Sequence, residues 1–166
     1  MFSGDEVDRI KSRIKFRGDI GTSEIEEAYR KAFNMSKPNI IKRLLLRLLR
    51  VGNPISLPFL FADTYYKEAS FAIIGIILKE DKPKLKDYIY KPEELDCDDY
   101  AFRLMGIFHQ DHRTIGMPIF ITWVETPEGG HAVLSYYYKG IIEIIEPQNC
   151  NTFSVPKDWK LWLIIG

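Results

Sequence analysis

The sequence predicts an α+β fold: N-terminal helices and one further helix, the site-bearing one, packed on a C-terminal antiparallel sheet. Three observations carry this. Residues up to about 108 show amphipathic, helix-spaced stretches broken by Gly and Pro. After Gly116 the chain turns into short runs of β-branched and aromatic residues separated by turn signals. Helices first and a meander of strands after belong to the α+β class rather than to alternating α/β.

Residues 4–17 alternate charge with Val7, Ile10, Ile14 and Phe16, a weak helical pattern that Gly18 and Gly21 end. Thr22-Ser23 before "EIEEAYRKAF" predicts a capped helix, with acids in its first turn and Arg30 and Lys31 in its last. "NIIKRLLLRLLRVG", 39–52, predicts a basic amphipathic helix after Pro38. A helix is expected over 63–79, capped by Asp63, and then a solvated loop "EDKPKLKDY". From Cys97 to about Phe108, Ala101, Leu104, Met105 and Phe108 share one helical side. Strands are predicted at 118–125, 131–138, 141–146 and 161–165, with "TPEGG" and "KG" as hairpin turns. The domain division expected is a basic helical extension, 1–60, on a core, 61–166.

The bulk properties exclude several function classes. Lys plus Arg and Asp plus Glu number 23 each, so no global charge argues for nucleic acid. The charge is divided all the same: residues 1–51 carry twelve basic and seven acidic side chains. The first residues are charged throughout and no run has the length of a membrane span, so the expected location is cytoplasmic. Two cysteines do not make a disulfide scaffold.

"ELDCDDYAF", 94–102, sets Cys97 among three aspartates at a predicted helix start. A helix N-terminus favours a thiolate, whereas Asp96, Asp98 and Asp99 oppose one unless they cap the helix or hold a cation. His109 lies twelve residues along, about 18 Å up a continuous helix, too far for proton transfer. His131 follows a glycine pair and opens a strand. If Lys139-Gly140 is a two-residue turn, position 138 faces 141, and His131, Val133, Glu146 and Gln148 share one sheet face. Glu146 is then diagonal to His131, within reach of a long side chain. Nucleophile, base and orienter come in a serviceable order.

"DCDDYA", "GGHAVLSYY" and "IIEIIEPQN" together resemble the papain-like and transglutaminase-like cysteine peptidases. The nearest patterns are the calcium-dependent protease domain of a fungal agglutinin and bacterial transglutaminase-like peptidases. The likeness covers Tyr90 to Asn149. It implies a cysteine hydrolase acting on a peptide or amide bond through a thioester, with amide transfer as a variant. Cys97 would be the nucleophile, His131 the general base and Glu146 the orienting acid. It implies no required cofactor, and calcium on Asp98 and Asp99, with Asp96. It implies a peptide or protein substrate, with no nucleic acid. The family's glutamine upstream of the cysteine has no counterpart here, which leaves Gln148 and Tyr90 as candidate oxyanion or substrate contacts.

Other readings stand beside this one. The fold could serve as a binding or assembly module without turnover, which the basic N-terminal part and the absent glutamine suit. His109 and His112 could hold a metal, although a second close ligand pair is lacking. The basic stretch 39–51 is either a core-facing stripe with solvated Lys and Arg or a contact for a partner or membrane surface. Cys97 could be an idle thiol, and the acids a solvated cap.

Overall fold

The computed structural model describes residues 20–36, 59–91 and 95–166. The expected helices at 4–17 and 39–52, and with them much of the 1–60 extension, lie outside the described residues. In chain order the elements are β1 (Ile20–Gly21), α1 (Thr22–Ala32), β2 (Phe59–Leu60), β3 (Tyr65–Tyr66) and α2 (Phe71–Asp81). A 3₁₀ turn (Lys82–Asp87) and α3 (Cys97–Gln110) follow. The chain then runs through β4 (Ile119–Thr126), β5 (Gly129–Tyr138), β6 (Ile141–Glu146), β7 (Asn151–Ser154) and β8 (Lys160–Ile165). This is an α+β architecture. Among the described residues the main sheet is open, six strands in the order β2-β8-β4-β5-β6-β7, antiparallel except for β2 on β8.

The β5–β6 hairpin has the predicted register. Lys139 and Gly140 both have positive φ, 48° and 83°, as a tight two-residue turn matched to strand twist requires. Tyr138 pairs with Ile141 and Leu134 with Ile145. The sheet separates two apolar layers. On one face Ala132, Leu134, Tyr136 and Ile145 meet α2 and α3, which bury Ile74, Ile77, Ala101, Leu104 and Phe108. On the other, Val133, Tyr137, Ile142 and Ile144 meet Ile25, Ala28 and Tyr29 of α1.

Four local expectations are revised. The cap of α1 is Gly21, which offers no side-chain bond, not Thr22. The helix expected from Asp63 starts at Phe71 with Ser70 as its cap, because Tyr65 and Tyr66 are taken by pairing with Gly21 and Ile20. The loop after it contains the 3₁₀ turn, anchored by buried Leu85. Strands β2 and β7 were not predicted. Two residues and a polar four-residue run carry too little pattern to register as strands.

Candidate functional site

The site lies where α3 begins and the ends of β5 and β6 open. Asp96 caps α3: its Oδ1 accepts the Asp98 N–H at 3.3 Å, and Asp99 Oδ2 accepts the Asp96 N–H at 3.3 Å. This reciprocal box satisfies donors that the first helical turn leaves over, so two of the three acids have a structural task. Asp96 also raises the Asp98 carboxyl above its ordinary value, chiefly by their shared hydrogen bond. One ligand atom each from Asp96, Cys97 and Asp98 lies within 4.8 Å of the others.

Cys97 is half-buried, with the backbone N–H of Ala132 beside its sulfur. Burial is the largest influence on the thiol and pushes it above its ordinary 9.0. Asp96 and Asp98 push the same way, while the Ala132 and Cys97 N–H groups pull back. The net direction is upward, against thiolate formation.

His131 Nε2 and Glu146 Oε2 are 2.8 Å apart. Strand alternation explains the meeting: both residues carry the parity of Val133 and Ile144, on the α1 side of the sheet. Cys97 arrives from the opposite layer, against Ala132. The site therefore straddles the sheet where the strands run out. Trp159, in the connection from β7 to β8, stands edge-on to the His131 ring at 6.2 Å, with Phe153 behind it at 5.7 Å. His131, Glu146, Trp159, Thr126, Glu128 and the Gly129-Gly130 pair line a cleft of about 280 Å³. A Cβ on Gly130 would stand 3.2 Å from the ring of the exposed Trp162, so a larger residue there would have to push that indole aside.

The other sequence candidates sit further out. Gln148 is exposed, and its backbone N–H, not its side chain, reaches the site by donating to Glu146 Oε1 at 3.1 Å. Tyr90 is 51% exposed, just before the turn closed by Lys91 and Leu95. Trp159, Thr126 and Glu128 had been missed. Nothing in a loop reading "PKDWK" ties its indole to a histidine 28 positions earlier.

No family model matches the chain, and no curated protein does. Solved structures do. The chain is similar in fold to a lectin. A structure titled "PSL1a-E64 complex" matches with a TM-score of 0.55 and 19% identity over 65% of this chain and 43% of that one. A Polyporus squamosus lectin bound to the influenza-binding epitope Neu5Aca2-6Galb1-4GlcNAc matches with a TM-score of 0.54 and 19% identity, over 65% and 42%. The chain thus spans about two fifths of the length of the structures it matches. At that identity the likeness concerns the fold.

These likenesses correct the resemblance drawn from the sequence. One neighbour is named as a lectin, and the likeness to both concerns the fold, so the papain-like and transglutaminase-like peptidase identification is corrected to a likeness of fold. With it go the hydrolase function, the enzyme assignment and the cysteine-protease description. The physical reason for the error is plain. Hairpin register alone brings a histidine and a glutamate together, and a helix packed on the same strand brings a cysteine near. That geometry belongs to the fold and does not itself supply chemistry. Burial and the flanking acids, meanwhile, push the thiol upward.

Proposed function

We propose that the chain is a binding module, and that the cleft at the ends of β5 and β6 seats a neutral, hydroxyl-rich group such as a hexose of a glycan. One observation carries this reading: the cleft combines an aromatic wall, Trp159, with two carboxylates, Glu128 and Glu146, and with His131 and the exposed peptides of Gly129 and Gly130. An indole covers the C–H face of a sugar ring, and carboxylates accept from its hydroxyls. A few convergent polar groups on an otherwise shaped wall are what orient a small ligand. The acids disfavour an anion, so the Galβ1-4GlcNAc part of the epitope named above suits the cleft better than its sialic acid. In this reading His131 and Glu146 hold each other in place for the ligand.

Calcium is proposed as an accessory ligand at Asp96 and Asp98, whose crowded carboxylates a divalent cation would relieve, with Asp99 kept by the helix cap. A rise in melting temperature with added calcium, reversed by a chelator and lost in Asp98→Asn, is the expected result. An unchanged melting temperature removes the proposal.

The test of the main reading is calorimetric titration with Galβ1-4GlcNAc, with the full sialylated trisaccharide and with a peptide library as the competing ligand class. Saturable binding of the disaccharide is expected, at least as tight as that of the trisaccharide, and about tenfold weaker in Trp159→Ala. E64 controls for chemistry at the thiol: after incubation the intact mass should be unchanged. A stable adduct on Cys97, Cys97-dependent cleavage of a peptide, or no response to either sugar contradicts the reading.

A further inference from the structure

We propose that the groove between α2 and the β6–β7 turn is a second, separate binding site, for a small amphiphilic carboxylate. The argument begins with the helix. Its sequence, "FAIIGIILKED", is apolar for eight residues. Ile74, Ile77 and Leu78 face the core, yet Phe71 and Ile76 remain 56% and 45% exposed. A helix apolar on all sides is normally covered on all sides.

Gly75 points the same way. Glycine inside a helix costs roughly 0.5–1 kcal/mol against alanine. Here a Cβ would meet nothing within 4 Å, so no close neighbour demands the glycine. What the missing side chain does is keep a groove open. Phe71, Leu78 and Gly75 form its walls, with buried Cys150 at its base, and its volume is about 260 Å³. That equals roughly nine waters at about 30 Å³ each, the bulk of a medium-length alkyl chain.

The mouth is cationic. Lys79 and Lys82 both line the groove, and Lys82 Nζ is steered across it by a 3.0 Å bond to Asn151 Oδ1. Apolar walls with ammonium groups at the rim complement an alkyl chain ending in a carboxylate. They do not complement a sugar or a cationic detergent. The groove shares no residue with the His131 cleft, so the two sites are independent.

The experiment is titration of the full chain with sodium decanoate below its micellar range, followed by calorimetry and by protection of Cys150 from a thiol reagent. One saturable site and at least tenfold slower labelling of Cys150 are expected. Gly75→Ile fills the groove: decanoate affinity should fall at least tenfold while the melting temperature holds or rises, since helix propensity improves. Lys79→Gln with Lys82→Gln should weaken decanoate several-fold and leave decanol binding unchanged. Three results overturn the proposal: no saturable binding, binding indifferent to Gly75→Ile, or equal binding of decyltrimethylammonium. Concentration-dependent dimerisation abolished by Gly75→Ile would also overturn it, by assigning the groove to a second copy of the chain.

Discussion

Tyr29 and Tyr136 are both fully buried and pack on opposite faces of one sheet, yet only Tyr29 has its hydroxyl satisfied. On the α1 face, Tyr29 Oη meets Ser135 Oγ at 2.5 Å, and Ser135 meets Thr122 Oγ1 at 2.5 Å. Tyr137 Oη adds a bond to Glu24 of α1. On the α2–α3 face, Tyr136 Oη has no hydrogen-bond partner among the described residues. The polar tie there is instead ionic. Arg103 of α3 makes a bidentate pair with Asp81 at 2.7 and 2.8 Å and stacks on Tyr88 at 4.4 Å.

The difference separates two tasks. The α1 face is closed by a buried hydroxyl chain that fixes one helix in one register. The α2–α3 face holds its helices at their ends and leaves a groove along α2. The proposed groove draws on that looser layer, while the cleft lies at the strand ends on the α1 side.

Three substitutions break the comparison, in descending size. Arg103→Ala strips the bidentate partner from Asp81, which is 1% exposed and keeps only the longer Lys84 contact at 4.0 Å, and should cost about 3–5 kcal/mol in urea unfolding. A loss under about 1 kcal/mol would show that the ion pair does not hold α3 to α2. Ser135→Ala removes the middle of the hydroxyl chain and should cost about 1–3 kcal/mol. Tyr136→Phe, one residue further along the same strand, deletes a hydroxyl that has no bond to lose. It should be neutral or stabilise by up to about 1 kcal/mol. Equal losses in these last two variants would erase the contrast between the faces.

Much of the fold was legible because its signals are local. The hairpin needed only Lys139-Gly140 and two alternating runs, and the inward stripe of α3 was read residue by residue. What stayed hidden depends on distant partners. Tyr65 and Tyr66 lie in an apolar, helix-like stretch and form a strand because Ile20 and Gly21 lie alongside. Strand β2 exists only as two residues parallel to the end of β8. At the site, the His131–Glu146 meeting followed from register alone, whereas Trp159 came from a loop with no pattern. The function drawn from that meeting went too far. The spacing of Cys97, His131 and Glu146 reports where strands and helix lie, while the state of the thiol depends on burial and on Asp96 and Asp98 in three dimensions.

The most direct test of a binding rather than a catalytic site is the rate of Cys97 alkylation by iodoacetamide against pH, in the wild-type chain and in His131→Ala. A thiol pushed upward by burial and by two carboxylates keeps its proton at neutral pH and gains reactivity only as pH rises past its ordinary 9.0. The account therefore predicts slow labelling at pH 7, unchanged by His131→Ala. Fast, selective labelling of Cys97 at pH 7 that disappears in His131→Ala would contradict it.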